Sequence, residues 1–554
     1  MGRDFASVGV VGLGTMGAGI VEVFARSGVD VVAVEISDAA LDLGRANLDR
    51  STDRAVAKGR LDPADRDELL GRVHFAVGLD ALHAVDLVVE AVPERLEVKR
   101  QLFAELDRIC RPEAILATNT SSLSVTEIAV ATGRPDRVVG VHFFNPAPVM
   151  KLVEVIRTVV TSAEVVADVE GLCARLGKVG VTVADRAGFI ANALLFGYLN
   201  QAVAMIEAGY ATREDVDLAM RLGAGLPMGP FALLDLIGLD TAYQILDTMY
   251  RRGGRNRRHA PVPLLRQMVT AGLLGRKTGR GFYTYERPGS PVVVADDATP
   301  DPVDGSAADG VPPVARIAIV GSDARATGLA TACTEAGHEV VTVAGEPTAL
   351  TPLADVDLVI EAVAGEPRDR AALLAALAGV CKPEAVLVTT AATPVIDLAM
   401  ATGRPADVVG LHLHEPTRAG AFAEIVRTVR SSARAVAAVR ALCAALGRSV
   451  VVCGDRAGLV VDALVVGYLN DAVRMLEANY ASVDDIDNAM KLGCGYPTGP
   501  FELLDTIGLD VALTVASELH REQREPGLAP APLLEHLVIA GHLGRRTGRG
   551  FREH

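Results

Sequence analysis

VGVVGLGTMGAGIVEVF, residues 8–24, decides the fold. An apolar strand runs into Gly12-x-Gly14-x-x-Gly17, and a helical pattern follows at once. Each glycine has its own work in such a loop. Gly12 permits the tight turn, Gly14 lets backbone approach a pyrophosphate, and Gly17 lets helix pack closely on strand. The loop Gly12, Leu13, Gly14, Thr15, Met16, Gly17 then offers free N–H groups and the positive end of a helix dipole to an anion. The next strand, VDVVAVE (29–35), ends in Glu35. A carboxylate there accepts hydrogen bonds from a ribose 2′-OH and repels a 2′-phosphate, so the expected dinucleotide is NAD rather than NADP.

Outward from this loop, short Val/Ile-rich runs alternate with helical patterns as far as residue 185, which implies a parallel sheet. Beyond it, GFIANALLFGYLNQAVAMIEAG (188–209) opens a stretch of long helical periodicity. The unit then repeats. LGAGLPMGPFALLDLIGLD (222–240) and LGCGYPTGPFELLDTIGLD (492–510) agree at 14 of 19 positions, at an offset of 270. The same offset pairs GYLNQAVAMIEAGYA (197–211) with GYLNDAVRMLEANYA (467–481). The predicted architecture is an α/β Rossmann-type parallel-sheet domain followed by an all-α domain, duplicated in tandem. The expected boundaries are 1–185, 186–286, a flexible Pro/Gly/Ala/Asp-rich linker over 287–314, 315–455 and 456–554. The offset is 309 at Gly12/Gly321 and 271 at Asp86/Asp357, so the second copy lacks 309 − 271 = 38 residues, most of 38–80.

Composition narrows the function classes. With 54 basic and 69 acidic residues the net charge is −15, which disfavours nucleic acid and anionic membranes as partners. No apolar run approaches the roughly 18 residues of a membrane span, and the glycine-cut N-terminal stretch does not resemble a signal peptide. Seven cysteines without a C-x-x-C pair are expected to be reduced, buried thiols of a cytoplasmic protein, and no metal site is expected.

A second feature carries chemistry. VVGVHFFNP (138–146) ends an apolar run in His142, and KLVEVIRTV (151–159) holds Glu154 between two valines. A carboxylate inside such a run is costly to bury without a partner. A His142–Glu154 pair would fix the imidazole tautomer and stabilise the imidazolium formed on proton abstraction. Spacing alone leaves a second arrangement open, a core histidine with an edge-strand glutamate facing water.

The segments GLGTMG, ATNTSSL (117–123), VHFFNPAPVMKLVEV (141–155), GFIANALL (188–195), PMGPFALLD (227–235) and GRKTGRGFY (275–283) together resemble the L-3-hydroxyacyl-CoA dehydrogenase family. The resemblance spans the first copy, roughly 1–286, and reaches the second more faintly. It implies that His142 is the catalytic base for the substrate 3-hydroxyl and Glu154 its partner. Ser121 and Asn192 complete the polar site. Glu94, Lys99, Ser121, Asn145 and Lys277 match cofactor-contacting positions, and Ser51 and Lys58 match a CoA-contacting helical arm. Without the resemblance, Ser121 is a turn residue, Asn192 a polar helix residue, and Lys58 and Lys277 solvated charges.

In the second copy His412 and Glu424 keep the twelve-residue dyad spacing, but the surroundings change. The loop reads Gly321-Ser-Asp323-Ala-Arg-Ala326, Ala344 replaces the ribose acid, Ala392 replaces Ser121, Glu415 replaces Asn145 and Asp462 replaces Asn192. The second copy is expected to be silent in catalysis and to pack on the first as an internal pseudo-dimer, with further homo-oligomerisation left open. Three functional readings follow: an NAD-dependent (S)-3-hydroxyacyl-CoA dehydrogenase such as one acting on 3-hydroxybutyryl-CoA, a gulonate-type dehydrogenase of a free hydroxy acid, and a non-catalytic structural relative.

Overall fold

The structure, a computed structural model, describes residues 3–299, 314–344, 350–391, 394–414 and 421–554. Ala392, Glu415 and residues 300–313 of the linker lie outside these.

The first copy builds an eight-stranded sheet from β1 (Ser7–Val11), β2 (Asp30–Glu35), β3 (Val73–Val77), β4 (Leu87–Glu90), β5 (Ile115–Thr118), β6 (Val138–Phe143), β7 (Leu152–Arg157) and β8 (Val179–Ala184). The order is β3-β2-β1-β4-β5-β6-β7-β8. All neighbours pair in parallel except β6 and β7, which are antiparallel. Helices cover both faces because the central strands are apolar on both sides. β1 lies between β2 and β4, so the order reverses at its C-terminal end, where a doubly wound sheet leaves its ligand crevice. The glycine loop sits at that point.

A small hairpin, β9 (Thr284–Tyr285) with β10 (Val293–Val294), follows the first helical region. Here the expectation of a flexible linker from residue 287 fails for its first part. Arg213, opening the helix Arg213–Leu222, reaches the Phe282 carbonyl, Asp296 at 2.6 Å and the Thr299 hydroxyl at 3.2 Å. Charge-assisted bonds of this kind hold a Pro/Gly-rich segment that composition alone assigns to a loose tether.

The second sheet has seven strands: β11 (Arg316–Val320), β12 (Glu339–Val343), β13 (Leu358–Glu361), β14 (Val386–Thr389), β15 (Val408–Leu413), β16 (Phe422–Arg427) and β17 (Ser449–Gly454). Their order is β12-β11-β13-β14-β15-β16-β17. The missing stretch corresponds to the helices Asp38–Ala57 and Pro63–Gly71 and also to edge strand β3. An edge strand reading VHFAV, with His74 exposed, carries too little periodicity to be seen in sequence.

The two copies share one core. Leu194, Tyr198 and Leu199 of the helix Ala191–Glu207 belong to the same buried apolar cluster as Leu464, Tyr468 and Leu469 of the helix Val461–Glu477. Arg258 pairs with Asp471 at 2.8 Å, and Gln201 donates to the Ala463 carbonyl at 3.2 Å. The packing is reciprocal. The helix Arg213–Leu222 of the first copy lies on β17, and the helix Val483–Gly493 of the second lies on β8.

The loop glycines differ in tolerance. A Cβ on Gly17 would lie 1.7 Å from the Gly12 carbonyl oxygen, whereas one on Gly14 would meet nothing within 4 Å. Gly17→Ala therefore should cost about 1–3 kcal/mol through overpacking, read as a lower melting temperature and weaker NADH binding. Gly14→Ala leaves the melting temperature unchanged.

Candidate active site

The antiparallel pairing of β6 and β7 explains the twelve-residue spacing. His142 and Glu154 are direct register partners, so both side chains leave the same face of the sheet. His142 Nδ1 lies 2.7 Å from Glu154 Oε2, and both residues are buried. This is the paired arrangement rather than a water-facing edge glutamate. Glu154 Oε1 accepts the backbone N–H groups of Ile190 and Ala191, each at 3.0 Å. These open the helix Ala191–Glu207, which has no side-chain cap of its own. One carboxylate thus orients the imidazole, caps a helix and ties the sheet to the helical region. Phe144 and Phe189 flank the His142 ring at centroid distances of 4.6 and 5.7 Å.

Asn192 sits in the first turn of that helix, half-buried, its side chain bonded to no described residue, so its amide is free for a ligand. Ser121 lies in a turn gathered on Glu94. Glu94 Oε1 accepts from the Thr120 hydroxyl at 2.6 Å, the Ser121 N–H at 2.9 Å and the Ser122 N–H at 3.2 Å. Burial pushes the Glu94 carboxyl up, but the Lys99 ammonium, the Thr120 hydroxyl and the Ser121 N–H outweigh it and hold the group below the usual glutamate range. Lys99 is wholly buried, 2.7 Å from Glu90 and 3.3 Å from Glu94. Any contact it makes with a cofactor is shared with those carboxylates. A cleft of about 710 Å³ opens beside this turn between sheet and helical region, walled by Ser122, Arg186 and Arg252 among others.

At the nucleotide loop, Gly12 has φ +87° and the helix Thr15–Arg26 begins at Gly14 with no side-chain cap. Its first N–H groups are unclaimed by any side chain and Gly14 stands open, a donor set that fits a pyrophosphate. Glu35 accepts the Leu13 N–H at 2.6 Å, which places the expected ribose acid directly against the loop. Thr15 is exposed and Met16 half-buried at its rim.

Four residues make no bond to this constellation. Asn145 is exposed and makes no bond to the described residues. Lys277 is held by Asp240 within the helical region, and no bond links it to the nucleotide loop. Ser51 donates its hydroxyl inward to Glu22. Lys58 is exposed and unpaired at the C-terminal cap of the helix Asp38–Ala57. Of the two arm residues, only Lys58 presents its polar group to solvent.

The second copy corrects the expectation of a retained dyad. His412 and Glu424 are again register partners. Yet Glu424 Oε2 bonds His414 Nε2 at 2.7 Å, where the first copy has Phe144. Glu424 Oε1 still accepts Val460 N at 2.8 Å, so the structural half of the carboxylate's work persists. Desolvation and then His414 lower the His412 imidazole below its usual range. Burial, then Glu424, pushes Asp462 up to about 6, with His414 opposing. Sequence spacing could not show this exchange; the extra histidine two residues along, on the same face, was the available signal. Asp323 closes the other end by accepting the Ala326 N–H at 2.8 Å, so a carboxylate caps the helix where a phosphate would dock.

Both copies match sequence models of one known family. The sequence model described as 3-hydroxyacyl-CoA dehydrogenase, NAD binding domain, matches residues 7–186 and 346–456, and that of the C-terminal domain matches 188–285 and 458–554. A 3-hydroxybutyryl-CoA dehydrogenase from Mycobacterium tuberculosis is 49% identical over 280 residues, which is 50% of this chain and 98% of that one. The mitochondrial hydroxyacyl-coenzyme A dehydrogenase of Homo sapiens is 45% identical over 286 residues, 50% of this chain and 91% of its own. The crystal structure of 3-hydroxybutyryl-CoA dehydrogenase from Escherichia coli superposes with a TM-score of 0.76 at 30% identity, covering 97% of this chain and 99% of that one.

Since Asp323 fills its own helix N-terminus, NADH titrated calorimetrically should saturate at one equivalent per chain, and Gly14→Asp should abolish that binding. Two equivalents would show that the second loop is open. By its duplicated domains, its glycine loop and its sequence, the chain belongs to the 3-hydroxyacyl-CoA dehydrogenase family, NAD-dependent oxidoreductases.

Proposed function

We propose that the first copy oxidises the 3-hydroxyl of an (S)-3-hydroxyacyl-CoA of the 3-hydroxybutyryl type to the 3-oxo thioester. The supporting observation is the Nδ1-to-Glu154 bond of 2.7 Å, which leaves His142 Nε2 as the free ring nitrogen. With the proton on Nδ1, Nε2 carries a lone pair and takes the hydroxyl proton as the C3–H bond breaks. NAD⁺, when bound, supplies the hydride acceptor, so the products are the 3-oxoacyl-CoA, NADH and one proton. Glu154 stabilises the imidazolium that forms. Ser121 and Asn192 are assigned to the substrate oxygen, from the turn on Glu94 and from the helix that Glu154 caps. Phe144 and Phe189 keep water from the imidazole.

The CoA moiety is assigned to the arm Asp38–Ala57 and Pro63–Gly71, with Lys58 as its cation. This arm supports a thioester over a free hydroxy acid. The second copy lacks it, has Asp323 across its helix N-terminus and has Glu424 drawn to His414. It is assigned a structural role as the pseudo-dimer half. Among the described residues no helix is long and apolar enough to cross a membrane, and all seven cysteines are free; a cytoplasmic location is part of the proposal.

Three variants test the assignment through NADH oxidation with acetoacetyl-CoA. His142→Ala should lose about 10²–10⁴ in kcat, while His412→Ala stays at the wild-type rate. Equal losses would refute a silent second copy, and an active His142→Ala the proposed base. Glu154→Gln is the sharper probe. Its carbonyl still caps the helix, but its amide donates to Nδ1 and forces the proton onto Nε2. The expected result is a kcat reduced by about 10² or more with the fold intact, because the tautomer is wrong rather than the packing.

A further inference from the structure

We infer that Tyr480, supplied by the second copy, is a positioning residue for the active site of the first. The crossing from β8 to the helix Ala191–Glu207 is short and strained. Phe189 has φ +44°, a left-handed conformation that is unfavourable for a side chain of its size and persists only when neighbours over-determine it. Its ring packs on His142, and its N–H donates to the Arg186 carbonyl at 3.1 Å. The far end of the crossing is fixed by Glu154 through Ile190 and Ala191.

Tyr480 fixes the near end. It is buried, and its backbone carbonyl accepts the Ala184 N–H at 3.3 Å. Its hydroxyl donates to the Arg186 carbonyl at 3.3 Å, the same oxygen that receives Phe189. The Arg186 guanidinium lies over its ring at 5.1 Å. The contact surface continues past it. Gly493, ending the helix Val483–Gly493, lies so close that a Cβ would sit 2.7 Å from Leu152 and 3.5 Å from Phe144, the other aromatic beside His142. The second copy therefore braces both rings that flank the imidazole.

The pseudo-symmetric contact supplies the comparison. Tyr210 of the first copy accepts the Gly454 N–H at 3.2 Å and lies under Arg456 at 5.2 Å, and Leu459 has φ +50°. Its buried hydroxyl, however, makes no bond to the Arg456 carbonyl and faces the Cys453 thiol instead. Among the described residues, the bond from the tyrosine hydroxyl to the crossing's carbonyl is present at the site where Glu154 holds His142 and not at the other.

Tyr480→Phe removes that bond and keeps the ring, and Tyr480→Leu removes both. In the full chain, Tyr480→Phe should lower kcat about five- to tenfold with unchanged NADH affinity, and Tyr480→Leu should lower it further. Tyr210→Phe and Tyr210→Leu, which disturb the same interface at the other site, should leave kcat at wild type. Wild-type kcat in both Tyr480 variants overturns the inference, as do equal losses from the Tyr480 and Tyr210 pairs or a fall that tracks NADH affinity. The inference rests on the proposed role of His142 and Glu154, and its failure is distinguishable: an active His142→Ala defeats that role, whereas inactive His142→Ala with unaffected Tyr480 variants defeats only the brace.

Discussion

A single buried carboxylate, Glu154, is what the rest of the site depends on. An unpaired carboxylate buried within a sheet would cost several kcal/mol. Its two oxygens are separately satisfied, one by His142 and one by two N–H groups at a helix start. The helix dipole favours the negative charge, and the charge holds the imidazole in one tautomer. The same interaction therefore sets the chemistry of the histidine and the placement of the helix that carries Asn192.

The duplicated copy separates these two duties. Glu424 keeps its helix-capping oxygen, and the partner of the other oxygen has changed from the register histidine to one two residues along. The Glu90–Lys99–Thr118 cluster under the first sheet persists in the same way, as Glu361 with Arg370 at 2.7 Å and Thr389 at 2.8 Å. Buried ionic groups that support folding have been kept. Groups assigned above to ligand contact have been exchanged: the glycine loop has gained Asp323, and Asp462 stands for an asparagine. At Asp462 burial and then Glu424 raise the carboxyl while the neighbouring His414 opposes them, an opposition that Phe144 could not supply in the first copy.

Much of this was legible from residues alone. The glycine spacing identified the nucleotide loop because only backbone without Cβ fits Gly12 and Gly17, and that steric demand is local. A His142–Glu154 pair was suggested by the cost of a carboxylate within an apolar strand, but spacing alone left a water-facing glutamate open, and the antiparallel register of β6 and β7 decides for the pair. What escaped were choices between partners near in space. Ser51 faces Glu22 on a neighbouring helix rather than solvent, and Glu424 prefers His414. The linker's early segment is held by Arg213, some 80 residues upstream of Asp296. Composition reports flexibility only where nothing docks.

The tandem arrangement changes what divergence can do. In a two-fold dimer of identical chains any substitution appears at both sites, so an interface residue must serve both. Fusing the copies lifts that constraint. One copy can abandon its loop, its arm and its dyad while keeping the helical surface that the other needs. The unequal hydroxyls of Tyr210 and Tyr480 are the expected trace of such a division. An interface maintained only for stability would have no reason to be asymmetric at the strained crossing, whereas one that braces a working imidazole on one side has a reason to keep its bond there.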